Sequence, residues 1–149
     1  MNCRARRKSR SVFVRVDFLS LADAVDLQVQ CKHAHWNVKG PNFIALQVLF
    51  DQVNEDVEDY IAPFAERAAQ PGGAANSRGR VVTTRSHLSE NGAHGITESD
   101  HVTTLASALA SFGKLTRQAI EKSNELSDFV NADICTEMHD TSIASGTGK

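Results

Sequence analysis

Residues 32–51 read KHAHWNVKGPNFIALQVLFD, and the way this stretch folds decides the architecture of the chain. Gly40 and Pro41 interrupt two helical patterns, stopping one helix and restarting the chain, as in a tight connection between antiparallel helices. Two histidines, His33 and His35, precede the interruption and Asp51 follows it. Either these are polar residues on helix surfaces or some of them are metal ligands.

Working outward, apolar residues recur at helical spacing on both sides of the turn. Phe18, Ala22, Val25, Val29 and Trp36 form a stripe on a first helix expected over about 12–38. Phe43, Leu46, Phe50, Val53, Val57, Tyr60, Phe64 and Ala68 mark a second helix that ends before Pro71, Gly72 and Gly73. A connection over 71–97 is rich in Gly, Ser, Asn and Thr and too long for a simple turn; VVTT within it offers a short helical piece. Val102, Leu105, Leu109, Phe112, Thr116 and Ala119 mark a third helix, and Leu126, Val130, Ile134 and Met138 a fourth. The polar, glycine-containing tail TSIASGTGK at 141–149 is expected to end it early. The reading is an all-α, ferritin-like four-helix bundle, with a long connection between the second and third helices and a shortened fourth.

The 149 residues, 41% of them hydrophobic, suit one domain with a modest core. No apolar run is long enough to span a bilayer, and no apolar signal segment opens the sequence. Cys3, Cys31 and Cys135 are widely spaced and odd in number, which argues against a disulfide framework or zinc knot and for a reducing cytoplasm. Charge is uneven. Residues 1–16 carry Arg4, Arg6, Arg7, Lys8, Arg10 and Arg15 with no acid, so a net charge of −2 leaves −8 on the remainder. The chain thus divides into a basic arm, 1–16, and a bundle domain, 17–149. Such an arm suits phosphate contacts with nucleic acid; a solvated tail and an arginine-rich targeting peptide are the other readings.

Opposite its apolar face the second helix carries Gln47, Asp51, Glu55, Asp59 and Glu66, with Ala62 interrupting the row. Alone, this is a solvated acidic face. His35 nearby changes the reading, since imidazole with carboxylates suits iron and related metals. Asp51 and Glu66 lie about 22 Å apart along a straight helix, so one chain cannot bring both to one metal. A two-fold dimer with antiparallel second helices could set Glu66 of one subunit beside Asp51 and His35 of the other. His33 points to another helix face and is a poor co-ligand. His87, His94, His101 and His139 show no ligand spacing and read as exposed polar residues; Trp36 reads as core or interface. No P-loop, GxGxxG, CxxC or Ser-His-Asp pattern supports nucleotide or nucleophilic chemistry.

AHWNVKGPNFIAL, followed by LFD and later by AERAAQPGG, resembles the Dps family, the DNA-binding proteins from starved cells. The likeness is strongest over about 22–82 and continues more weakly to about 137. The resemblance implies a ferritin-like fold, a hollow dodecamer, oxidation of Fe(II) by hydrogen peroxide with storage of ferric mineral, and DNA binding through basic termini, here Arg4, Arg6, Arg7, Lys8 and Arg10. It further implies ferroxidase ligands at His35, Asp51 and Glu66 across a dimer interface, with Trp36 beside them. Gln47 stands where a second histidine is usual and is a weak ligand; Ala62 stands where an aspartate is usual. Pro63 lies inside the second helix, where loss of a backbone hydrogen bond and a ring clash cost ~3 kcal/mol and favour a kink. The expected function is therefore a cytoplasmic, nucleoid-associated protein that oxidises and sequesters iron and so protects DNA. A DNA-binding nucleoid protein with a depleted ferroxidase site is the alternative, and a folding-defective relative a third reading.

Overall fold

The computed structural model describes residues 21–70, 74–90 and 97–146, and all regular structure among them is helical. Helix α1 covers residues 21–37, α2 Phe43–Ala69, α3 Gly79–Arg85, α4 Glu98–Glu125 and α5 Phe129–Gly146. Four long helices with the short α3 set into the connection between α2 and α4 make the all-α bundle read from the sequence, and α3 contains the VVTT piece. The basic arm and the start of the first helix lie outside the described residues. At 18 residues α5 is shorter than α2 with 27 and α4 with 28. It does not fail at 141, however, but continues to Gly146. Extending an existing helix adds a hydrogen bond for each residue fixed and needs no new nucleus, so weak local propensity does not stop it.

Phe50, Phe64, Phe112, Leu27 and Met138 fill the centre of the bundle. On α2 and α4 the buried series follow the expected stripes: Phe50, Val53, Val57, Phe64 and Ala68 on one, Leu105, Leu109, Phe112, Thr116 and Ala119 on the other. On α1 the expected stripe is met only in part: Ala22 is buried and Val25 packs against the core. Leu21, Ala24, Leu27, Cys31, Ala34 and Val38 face the core, whereas Val29 is 60% and Trp36 72% exposed. Both series have helical spacing; the inner one carries small alanines that let neighbouring helices approach, and bulk alone misdirects the choice. On α5, Cys135 and Met138 are buried while Val130 is exposed, and Leu126 belongs to the preceding turn. Cys31 and Cys135 are free thiols, and burial pushes the Cys31 thiol up to about 12.

Polar contacts fix the connections. At the α1–α2 turn Gly40 has φ +148°, a conformation that L side chains rarely adopt, and Glu98 from the start of α4 packs against it. The Glu98 carboxylate accepts from the Asn42 backbone N–H at 2.8 Å and from its amide Nδ2 at 3.3 Å. Helix α4 opens with a capping box: Thr97 Oγ1 accepts from Asp100 N at 3.3 Å, and Asp100 Oδ2 from Thr97 N at 2.8 Å. Before α5, Ser127 takes φ 58° and the Asp128 carboxylate accepts from Asn131 N at 3.2 Å. The same carboxylate receives Arg67 Nη2 from the end of α2 at 2.7 Å to each oxygen, joining α2 to the start of α5. Helix α2 runs on through Pro63.

His101, read as an exposed residue, lies 1% exposed within α4, and its Nδ1 has no hydrogen-bond partner. Helical phase sets its position, one turn before Leu105 on the core face, which its polarity concealed. Burial first, and the neighbouring His33 second, hold its pKa below the ordinary 6.5, against an opposing pull from Asp100. A group with a depressed folded-state pKa stabilises the fold above its unfolded value and loses that contribution as pH falls through the folded one. Melting temperature should therefore drop between about pH 7 and pH 5, and His101→Gln should flatten this slope. An unchanged slope in the variant assigns the titration elsewhere; thermal scans followed by circular dichroism across that range make the measurement.

Candidate metal centre

The turn at Gly40 folds α2 back along α1, and the two helices exchange polar contacts just beyond it. His35 Nδ1 lies 3.2 Å from the Gln47 carbonyl oxygen and 3.3 Å from Asp51 Oδ1. Gln47 Nε2 in turn donates to the His35 carbonyl at 3.3 Å. A carbonyl and a carboxylate can only accept, so Nδ1 carries a proton, and in the neutral ring the lone pair lies on Nε2. This is the imidazole and carboxylate pairing expected from the sequence.

Lys32 was not anticipated. Its Nζ donates to Asp51 Oδ1 at 2.8 Å, leaving Oδ2 as the oxygen without a hydrogen bond among the described residues. That bond is the main cause holding Asp51 below the usual carboxylate range, and its counterpart raises Lys32, assisted by the charges of Glu55 and Glu58. The signal was present in the spacing: Lys32 and His35 stand three apart on α1, on one helix face. The ammonium is a cation where a metal cation would otherwise sit, and so competes for the same carboxylate.

The third expected ligand was assigned to a second chain, and within one chain it stands apart from the pair. Glu66 is exposed on α2, fifteen residues beyond Asp51, and Ala62 offers no donor atom. Among the described residues no group of three or more His, Cys, Asp and Glu side chains gathers to hold a metal ion. Around His35 and Gln47 the surface is apolar: Trp36 is 72%, Ile44 65% and Val48 67% exposed, joined by Leu49. His33 faces away from His35, as its spacing requires. His87 donates its backbone N–H to the buried Asp23 at 2.7 Å, and His139 lies 3.3 Å from Arg117 Nη2 and is largely covered. His94 and the arm residues Arg4, Arg6, Arg7, Lys8 and Arg10 fall outside the described residues.

Comparison with known proteins places this geometry in context. The ferritin-like domain family matches residues 20–144. The DNA protection during starvation protein of Agrobacterium fabrum is 34% identical over 117 residues, covering 78% of this chain and 72% of that one. The protein of the same name from Mycolicibacterium smegmatis is 31% identical over 109 residues, 73% of this chain and 59% of its own length. Among solved structures, Dps from Thermosynechococcus elongatus superposes with a TM-score of 0.89 at 20% identity, over 96% of this chain and 90% of its own.

Removing the Lys32 ammonium tests its hold on Asp51. In Lys32→Met the Asp51 carboxyl should titrate at higher pH than in the parent, because the hydrogen bond that favours the charged form is gone. Carboxyl carbon NMR shifts followed through an acid titration read this directly. The pair is exposed, so the melting temperature should barely change; an Asp51 titration identical to the parent's overturns the assigned cause.

Proposed function

Because the chain belongs to the ferritin-like family and, within it, to the Dps proteins, we propose that it sequesters iron and protects DNA, oxidising Fe(II) at a site shared between two subunits. The observation that carries the site is the His35–Asp51 pairing across the α1–α2 turn, with the imidazole tautomer set by the Gln47 carbonyl. Iron is the substrate. Two Fe(II) ions each give up one electron and hydrogen peroxide takes both, its O–O bond breaking to yield two hydroxide ions. His35 Nε2 and Asp51 Oδ2 bind Fe(II) on one chain, and Glu66 of a second copy completes the set. The Gln47 side-chain oxygen is an additional weak ligand.

The exposed apolar surface around Trp36, Ile44 and Val48 supports the two-chain arrangement. It flanks the half-site, and a second copy packed there buries it and excludes water from the iron. The fuller assembly is a cytoplasmic, nucleoid-associated dodecameric cage whose basic arms, residues 1–16, bind DNA phosphates. A second reading has its own support. Lys32 already neutralises Asp51 and Ala62 supplies no carboxylate, so a DNA-binding protein with a weak or silent ferroxidase site is the competing function. Peroxide-driven Fe(II) oxidation by intact particles, followed through ferric absorbance, separates the two: a rate no faster than that in buffer selects the second.

Complementation reads the shared site. His35→Ala and Glu66→Ala should each abolish most oxidation, because every site loses one ligand. In mixed dimers one of the two sites draws both residues from intact sources while the other loses both, so about half of the parental rate should return. Verified mixing with no recovery rejects the shared geometry.

Deleting residues 2–10 tests the arm separately. Six phosphate contacts give a slope of about −5 in log affinity against log salt. The deletion should abolish DNA retardation and leave iron oxidation intact; undiminished DNA binding removes the arm from the account.

A further inference from the structure

The connection that carries α3, residues 74–89, holds Arg78, Arg80 and Arg85 and no acid, a +3 segment within a bundle domain of net −8. All three arginines are exposed. Val82 is buried and anchors α3, and Arg80, two positions before it, emerges on the far side of the helix. Arg78 Nε donates to the neutral Asn76 Oδ1 at 3.1 Å. Among the described residues no ion pair engages Arg78 or Arg80.

The segment is tied down on one side of α1. Asp23 accepts from His87 N at 2.7 Å, Asp26 from the Ser86 hydroxyl, and Gln30 Nε2 donates to the Ser89 carbonyl at 3.1 Å. The α1 acids thus meet the residues after α3 and leave the charge of Arg78 and Arg80 unneutralised. Asp23, Asp26 and Gln30 lie about 180° around α1 from Lys32 and His35, which face α2. The body of α1, about 10 Å across with its side chains, therefore separates the basic segment from the acidic face of α2. At physiological salt a Debye length of about 8 Å screens most of the attraction between them. The result is a fixed positive surface. Seven residues separate Arg78 from Arg85, about 10 Å along a helix, and over that length one strand of duplex DNA carries about three phosphates.

We propose that α3 and its flanks form a second phosphate-binding surface for duplex DNA, with Arg78, Arg80 and Arg85 each meeting a backbone phosphate. The inference rests on the reading that the protein binds DNA, and it adds a surface held by the fold to the arm at residues 1–16. Guanidinium groups suit this role, because their planar forks donate two parallel hydrogen bonds to phosphate oxygens. Three contacts alone are too few to retard DNA at ordinary salt, so deletion of the arm still abolishes retardation. The contribution of α3 is read instead from the salt dependence of binding by the full chain.

The assay is fluorescence anisotropy of a labelled mixed-sequence duplex titrated with the full-length assembled protein over a series of sodium chloride concentrations. Arg78→Gln, Arg80→Gln and Arg85→Gln combined should make the slope of log affinity against log salt shallower by about 2.7 for each chain in contact, at ~0.9 per phosphate. Arg80→Gln alone should remove about 0.9; its side chain makes no hydrogen bond or ion pair among the described residues, so this variant serves if the triple one loses its parental melting temperature. Lysine at all three positions keeps the charge and should keep the slope. Lys39→Gln, Lys114→Gln and Lys122→Gln combined remove the same charge from other elements and should leave it unchanged. A parent that binds DNA with a slope unaltered by the arginine substitutions overturns this surface and leaves the arm in place, whereas a parent that binds no DNA overturns the DNA reading itself. Equal loss in the lysine set traces the effect to overall charge and also overturns the surface. So does light scattering without DNA in which parental particles cluster and the arginine variants do not, since that assigns the surface to the acidic face of another copy.

Discussion

The Glu98 carboxylate holds the α1–α2 turn, and the rest of the site depends on that hold. Gly40 allows the chain to pass through φ +148° while Glu98 presses against it and captures the backbone and side chain of Asn42. A Cβ at position 40 would stand 2.4 Å from the Glu98 carboxyl group. Although that group is the end of a flexible side chain, moving it breaks both bonds to Asn42. The clamp therefore ties the hairpin to the start of α4, where the Thr97–Asp100 capping box fixes the helix end. Because His35 and Gln47 stand on either side of the turn, its geometry sets the distance across which they bond. A polar contact remote from the proposed ligands thus sets their register.

Much of this was legible in the sequence, and the lapses have physical causes. The stripe on α2 could be read from Phe50 to Ala68, where buried positions keep helical spacing, although Phe43 at its start and Ile44, Val48 and Leu49 beside it are exposed. On α1 the core-facing positions include Ala24, Cys31 and Ala34, while bulkier Val29 and Trp36 point outward. Size pointed to the wrong face there, because close helix packing selects small residues. His101 escaped because polarity ordinarily predicts exposure, and only helical phase relative to Leu105 reveals its burial. His35 and Asp51 were identified and are together, whereas Lys32 was visible only as spacing. Glu98 was invisible in principle: it lies 56 residues from Asn42, and no local pattern encodes such a contact.

The half-site joins two opposing electrostatic demands. A carboxylate that is to bind Fe(II) must be ionised, and the Lys32 bond extends the acid range over which Asp51 stays so by lowering its pKa. The same ammonium repels an incoming dication and occupies one oxygen. Lys32 is exposed on a flexible stem, so it can swing away at little cost when a more highly charged ion arrives. Loss of the Ala62 carboxylate shifts the balance the other way, since less negative charge is available to draw the ion in. The ferroxidase and DNA-binding readings differ in which of these effects prevails, while sharing one fold.

The placement of Cys31 bears on how such a chain survives its own chemistry. The residue adjoins Lys32 and is four positions from His35, yet it turns into the core, where its thiol is raised to about 12. Thiolate, the form that reacts with peroxide, is then scarce at neutral pH. A sulfur four residues from the proposed ligand His35 is thus shielded by the medium around it rather than by distance. A buried thiol kept protonated in this way is a poor target for peroxide, so Cys31 resists oxidation to sulfenic acid.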